Sequence, residues 1–125
     1  MRLILLALAA TCSVTTADAG GLYCQADALT RAGHLLKLHW ESDGAALADL
    51  PGAPSDDGEK MAWSLDVQAV ELPPVPALAG SGLFNVLEVN GYVYKATYRM
   101  HFLYAQIPDA CVLMGQEIIE VAEPY

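Results

Sequence analysis

The sequence predicts an all-β fold, a small antiparallel β-barrel or two-sheet sandwich of about six strands, with one disulfide joining the first and last strands. Two observations predict it. Apolar residues recur at every second position in several segments, which are separated by stretches rich in Gly, Pro and Asp. Cys24 and Cys111 lie near opposite ends of this alternating region. A bond between them fits a closed sheet slightly better, although alternation alone does not separate a barrel from a sandwich.

The first two predicted strands form a hairpin. Residues 22–29 alternate apolar and polar side chains, with Cys24 and Ala28 on the same face. Residues 34–41 alternate again and place their apolar side chains toward the core. The polar, Gly-containing segment 30–33 between them is typical of a turn.

The middle of the chain predicts one strand between two irregular segments. Residues 42–60 lose the alternation and are typical of a long surface loop, with room for a helical turn near residues 45–50. Residues 61–69 alternate again and predict the third strand. The prolines of residues 72–82 predict an extended connection without ladder hydrogen bonds.

Asn90-Gly91 is the strongest local turn motif, because both residues tolerate the positive φ of a two-residue hairpin. That turn would place Val89 opposite Tyr92, and the outgoing strand would continue through Tyr104.

The remaining C-terminal segment predicts a turn and a last strand. Residues 107–110 predict the turn, and a strand from residue 111 to about residue 121 follows, with a bulge at Gly115.

The N-terminal segment is typical of a secretory signal peptide. A positive residue precedes the apolar run 3–10, and small residues surround Ala19. We expect cleavage after Ala19, so that residues 1–19 are removed and residues 20–125 form a single periplasmic or secreted domain. The run is too short for a spanning helix, which needs about 20 apolar residues, so we expect no membrane span.

Lipid attachment at Cys12 is the alternative fate of this segment. Bacterial lipoprotein signals carry a small residue directly before the modified cysteine, whereas Thr11 precedes Cys12 here. The sequence therefore favours cleavage after Ala19.

The net charge of −9 limits the classes of partner. Removal of the signal peptide would not change it, because Arg2 and Asp18 cancel. An acidic surface repels nucleic acid and anionic lipid, so we expect no nucleic-acid binding and favour a basic protein partner. The alternative interpretation is that the charge only keeps the protein in solution. The oligomeric state is left open.

Two cysteines would remain after cleavage, Cys24 and Cys111. They are far apart in sequence and belong to no Cys-x-x-Cys motif, which disfavours a redox-active pair or metal thiolates. An exported chain with an even number of cysteines favours a structural disulfide.

Sequence motifs for catalysis and cofactors are missing. The chain contains no Gly-x-Ser-x-Gly, His-Glu-x-x-His, P-loop or Gly-x-Gly-x-x-Gly motif, so we expect neither an enzyme nor a cofactor. His39 and His101 could meet on adjacent strands as a copper site, but their spacing matches no metal motif. Asp56, Asp57 and Glu59 lack the pattern of a calcium loop and predict a solvated acidic segment.

The Pro-rich segment is the candidate binding loop. Pro74, Val75, Pro76 and Leu78 combine stiffness with apolar side chains, and a preorganised segment loses little entropy on binding. The alternative interpretation is a rigid connector between sheet edges.

One resemblance covers the first third of the chain. Leu22-Tyr23-Cys24, the run ending Leu38-His39-Trp40 and residues 43–50 resemble the opening of the periplasmic C-type lysozyme inhibitors, which are small β-barrels with a terminal disulfide. The inhibitory Ser-x-Ser-Gly-x-x-Tyr motif of that family does not occur here, so no functional residue is carried over.

These observations predict an exported acidic binding protein, such as an inhibitor or immunity-type protein that acts on a basic envelope or secreted partner. The alternatives are a structural or accessory subunit of a cell-envelope complex, and an enzyme or copper-handling periplasmic protein.

Overall fold

The computed structural model describes residues 21–42, 44, 46–52 and 60–121. The predicted signal peptide, with Cys12 and Ala19, lies outside these residues, and so does the acidic segment 56–59. Among the described residues, no helix is long and apolar enough to span a membrane.

The N-terminal region is helical, so the predicted hairpin of residues 22–41 is wrong. A short 3-10 helix, Gly21–Cys24, leads into helix α1, Gln25–Ser42. Cys24, Ala28, Ala32 and Leu36 are buried at a spacing of four residues, which is the period of one helix face. Residues four positions apart, such as Cys24 and Ala28, lie on the same side of a strand and also on the same face of a helix. Residues 22–29 therefore fitted both patterns.

The prediction of a predominantly antiparallel β fold is confirmed, but the strands form an open sheet and not the predicted barrel or sandwich. Among the described strands, β3 and β4 lie one after the other along one edge of β5, and β6 and β7 follow in order, giving a five-stranded sheet. A separate parallel pair consists of β1 and β2. The strand bounds are β1 Ala46–Leu47, β2 Lys60–Met61, β3 Trp63–Leu65, β4 Val70–Pro76, β5 Leu83–Val93, β6 Ala96–Ala105 and β7 Leu113–Val121.

The β5–β6 hairpin turns at Tyr94-Lys95, not at the predicted Asn90-Gly91. Tyr94 adopts the positive φ of 52° that the turn requires. Gly91 lies under the helix instead, where a Cβ atom would be 3.0 Å from Leu36 Cδ2. The glycine therefore permits close packing, and the observed register pairs Val89 with Met100.

The other predicted strands and turns are confirmed only in part. The alternation of residues 61–69 breaks after β3, and Val67 is largely exposed. The prolines of residues 72–82 do not exclude a strand, because β4 pairs with β5 through a register shift between Leu72 and Val75. The turn at residues 107–110 is confirmed by the hydrogen bond from Ala110 N to Ile107 O, at 3.4 Å.

The bulge predicted at Gly115 is confirmed within one residue. Leu103 pairs with Gly115, whereas Tyr104 pairs with Leu113, so Met114 is the extra residue of β7.

The Cys24–Cys111 disulfide is confirmed, with the two Cα atoms 5.6 Å apart. It does not join the first and last strands. Cys24 is the last residue of the 3-10 helix and Cys111 lies just before β7, so the bond links the start of α1 to the connection between β6 and β7.

The two sheet faces differ in what packs on them. The covered face, which packs against α1, consists of Leu87, Val89, Gly91 and Val93 of β5 with Tyr98, Met100, Phe102 and Tyr104 of β6. Of the described residues on the other face, which we call the uncovered face, none belongs to the main core cluster. The uncovered face consists of Phe84, Val86, Glu88, Asn90 and Tyr92 of β5, Thr97, Arg99, His101, Leu103 and Ala105 of β6, and Gly115, Glu117, Ile119 and Val121 of β7.

Candidate functional site

The predicted binding loop divides between a strand and a hairpin tip. Pro74, Val75 and Pro76 belong to β4, and Leu78 lies in the connection to β5. A hydrogen bond from Ala77 N to Gly82 O, at 2.9 Å, closes the base of this connection. The side chain of Leu78 is fully exposed in this connection.

The β4 arm of this hairpin is an edge strand. It pairs with β5 on one side, and among the described residues no strand pairs with its other side. Pro74 and Pro76 are exposed, whereas Val75 is half-buried and pairs with Phe84. Proline is tolerated at an edge because its missing N–H then breaks no ladder bond.

A row of charged side chains crosses the uncovered face. His101 Nε2 is 2.8 Å from Glu88 Oε2, and His101 Nδ1 is 2.6 Å from Glu117 Oε1. Arg99 Nε approaches the same Glu88 oxygen at 3.6 Å. The three residues that meet at His101 come from β5, β6 and β7, so the row ties three strands together.

The protonation of His101 decides how many of these contacts are hydrogen bonds. A neutral imidazole donates from one ring nitrogen only, whereas an imidazolium donates from both. Both carboxylates therefore accept a hydrogen bond from His101 when the ring is charged. The arrangement can hold two carboxylates at fixed positions on the sheet.

His39 and His101 do not come together, because His39 lies in α1 and not in a strand. Its ring packs against Tyr98 on the covered face, with ring centroids 5.2 Å apart. His101 lies on the opposite face of the sheet. In the described ranges, no group of three or more His, Cys, Asp or Glu side chains is arranged to hold a metal ion.

A second polar cluster attaches the helix to the sheet. Asp27 Oδ2 accepts hydrogen bonds from Arg31 Nε at 2.7 Å and from the Tyr104 hydroxyl at 2.8 Å. Desolvation opposes ionisation of Asp27, but the two hydrogen bonds outweigh it and lower the pKa of this carboxyl. Burial, followed by the bond to Asp27, raises the pKa of Tyr104.

A third cluster secures the outer edge of β5. Asp66 Oδ2 accepts a hydrogen bond from the Asn90 side chain at 3.0 Å, and Asp66 Oδ1 accepts one from the Tyr92 hydroxyl at 2.7 Å. The hydrogen bond to Asp66 is the main reason that the pKa of Tyr92 is raised. The Asn90 side chain therefore binds Asp66, and Asn90 does not form the predicted turn.

Sequence reasoning missed the charged row because it misplaced the hairpin turn. With the turn at Asn90-Gly91, Glu88 pairs with Val93 and lies far from His101. The observed register pairs Glu88 with His101 and His101 with Glu117. Only the observed register brings Glu88 and Glu117 to one histidine.

Comparison with known proteins gives no relative: no family model, no curated protein and no solved structure matches this chain. The lysozyme-inhibitor resemblance is not supported by the fold either, because Cys24 and His39 lie in helices and the sheet is open.

Proposed function

We propose that this chain is an exported acidic binding protein that docks on a basic envelope or secreted protein, as an inhibitor or immunity-type protein would. The observation that carries the proposal is the fully exposed Leu78 at the tip of the proline-bordered β4–β5 hairpin. A fully exposed leucine beside a proline-rich edge strand is the type of group that fills an apolar pocket on a partner.

The hairpin suits such a contact because little order has to be created on binding. Three of its β4 residues, Pro73, Pro74 and Pro76, have fixed φ, and the loop is closed by the Ala77–Gly82 hydrogen bond. Each flexible side chain that must be immobilised costs about 0.5–1.5 kcal/mol, so a preorganised anchor keeps more of its contact energy.

The net negative charge of the chain favours a basic partner. The chain has 15 acidic and 6 Lys or Arg residues. Opposite charge speeds the encounter with a basic protein, and this contribution decreases with salt because the Debye length is about 8 Å at physiological ionic strength.

Export is the first point to test. N-terminal sequencing of the protein from a periplasmic or secreted fraction should begin at Gly20. A mature chain that begins at a lipid-modified Cys12 would support the lipoprotein alternative, and an uncleaved cytoplasmic chain would contradict export.

Partner capture tests the binding function. The exported, disulfide-bonded protein serves as bait in envelope extract at low and high salt, and Leu78→Asp is compared with Val67→Asp. Val67 is the matched control because it is also a largely exposed aliphatic residue but lies outside the hairpin. Leu78→Asp should lose the partner while Val67→Asp keeps it.

The salt dependence separates the two leading functions. An inhibitor that recognises a basic partner by charge as well as through Leu78 should bind at least about tenfold more weakly at high salt, whereas an accessory subunit that docks through apolar loop residues alone should not. Recovery of no partner by the unmodified bait at either salt concentration would contradict both.

A further inference from the structure

The uncovered face carries more apolar surface than a sheet face that only meets water. Two cross-strand rows consist of aliphatic or aromatic side chains: Leu72, Val86 and Leu103 in one, and Val75, Phe84 and Ala105 in the other. Val86 is only 4% exposed although it does not belong to the main core cluster. An antiparallel sheet with one solvated face usually places polar residues at such positions.

Large side chains project from the same face beside these rows. Val70, Tyr92 and Ile119 are all exposed, and Ile119 pairs with Arg99 across β6 and β7. Aromatic residues and Arg are enriched in protein interfaces, where they contribute much of the binding energy. The composition therefore fits contact with another protein surface.

Opposite charges lie next to each other at the centre of this face. The side chains of Arg99 and Glu117 are 49% and 53% exposed. They are diagonal neighbours, because Arg99 pairs with Ile119 while His101 pairs with Glu117. His101 contacts only Oε1 of Glu117 in the described chain, so this contact leaves Oε2 to accept a further hydrogen bond.

A surface with adjacent positive and negative groups can complement itself. In an isologous dimer the same patch meets on both copies, so a contact from residue i to residue j occurs twice. A two-fold axis in the plane of the interface, passing between Arg99 and Glu117, places each arginine over the glutamate of the other copy. We propose that the uncovered face is the interface of such a homodimer, with reciprocal Arg99–Glu117 ion pairs.

A second copy fits this face better than the basic partner of the proposed function. The chain as a whole has a net charge of −9, but this face places Arg99 and His101 among Glu88, Glu117 and Asp66. A basic surface would meet the exposed Arg99 as a like charge. Even with His101 charged, these groups leave one net negative charge on the face, so the face is far less acidic than the chain as a whole and opposes self-contact only weakly.

The available area agrees with a dimer of modest affinity. Four strand positions and strands of about ten residues give a face about 20 Å wide and about 30 Å long. Two such faces would bury on the order of 1,200 Å², which is at the lower end for specific complexes. We expect a dissociation constant in the micromolar range.

Sedimentation velocity over about 1 to 100 µM protein tests the interface through charge exchange. The disulfide-bonded protein should shift from monomer to dimer over this range. Arg99→Glu and Glu117→Lys should each weaken the dimer at least tenfold, at about 1.4 kcal/mol per factor of ten, because like charges then face each other. The double variant should recover the dimer, since each copy again presents opposite charges.

Two variants control for charge and folding. Lys95→Glu and Glu120→Lys make the same changes at the hairpin turn and on the other side of β7, so dimerisation should remain. Thermal unfolding of every variant identifies any that fail to fold. A monomeric wild type at the highest concentration, or a dimer that survives both single changes, would overturn the proposal. Failure of a folded double variant to recover the dimer would overturn the Arg99–Glu117 pairing.

This test is independent of the hairpin. Loss of partner capture in Leu78→Asp with an intact dimer would leave both proposals standing, and loss of the dimer alone would leave the partner-binding function in place.

Discussion

The two faces of the sheet are built from alternate residues of the same strands, yet different forces hold them. Phe102 and Leu103 are neighbours in β6, but Phe102 is enclosed by the helix side and Leu103 is only half-buried. The covered face is closed by apolar packing, a disulfide and the Asp27–Tyr104 hydrogen bond. The uncovered face is organised by His101 and its two carboxylates. In our proposal the covered face provides stability and the uncovered face provides the contact with a second copy.

Truncation of neighbouring residues should show the largest difference between the faces. Phe102→Ala should lower the free energy of unfolding by about 4 kcal/mol, because it opens a cavity in the core. Leu103→Ala should cost only about 1 kcal/mol, since less apolar surface is removed from a packed site. Urea unfolding in dilute samples measures both, and equal losses would contradict the assignment of faces.

Removal of the disulfide should have the next largest effect. The bond spans a sequence separation of 87 residues. Closing so long a loop contributes about 4 kcal/mol in the chain-entropy model, and measured values are often smaller. The double variant Cys24→Ala/Cys111→Ala should therefore lose about 3 kcal/mol. Reductant should destabilise the wild type and leave the double variant unchanged; sensitivity of both would indicate another cause.

Substitution of one glycine on each face tests how closely the two faces are packed. A Cβ atom at Gly91 would meet Leu36, Met100 and Leu65 within 3.3 Å, whereas one at Gly115 would meet nothing within 4 Å. Gly91→Val should therefore cost about 2 kcal/mol through overpacking, and Gly115→Val should change stability little. Thermal unfolding of both variants at low concentration measures the difference, and a larger loss at Gly115 would contradict the covered face.

The smallest expected effect concerns the polar contact under the helix. Tyr104→Phe removes one hydrogen bond to Asp27 and should cost about 1 kcal/mol at neutral pH. Because the pKa of Asp27 is lowered in the folded state, its contribution is present above the ordinary Asp value and is lost as the pH falls through the lowered one. Tyr104→Phe raises the pKa of Asp27 again, so its stability should decrease less on acidification.

At alkaline pH, ionisation of Tyr104 makes stability fall as the pH rises, the opposite direction to the effect of Asp27. Its raised pKa means that its contribution is complete below the ordinary Tyr value of 10.0 and is lost as the pH rises above it. Wild type should thus lose stability from about pH 10 upward, and Tyr104→Phe should lose less. Parallel pH profiles for the two proteins would contradict the Asp27–Tyr104 bond.

Local sequence patterns predicted the second half of the chain better than the first. The strands around Leu87 and Met100, the turn at residues 107–110 and the Gly115 bulge follow from alternation and turn chemistry. The helix was missed because Cys24 and Ala28 fit period two as well as a spacing of four residues. The packing of Leu36 against the sheet favours the helix over a strand, and local sequence patterns do not show this tertiary contact.

The misplaced hairpin turn has a physical cause. Asn90-Gly91 has the residues of a type I′ turn, but Asn90 bonds to Asp66 and Gly91 provides room for the helix. Tyr94, which local preferences disfavour at positive φ, takes the turn instead. The disulfide was predicted from composition, whereas the row at His101 required the true register.

Side-chain chemical shifts, recorded over about 1 to 100 µM protein, test the separate roles of the two faces most directly, because side chains alternate between the faces while backbone amides lie in the sheet plane. We expect concentration-dependent shifts for the side chains of Arg99, Glu117 and Ile119 on the uncovered face, and constant shifts for those of Leu36 and Phe102 on the covered side. Spectra that do not change with concentration, or changes confined to the covered side, would contradict it.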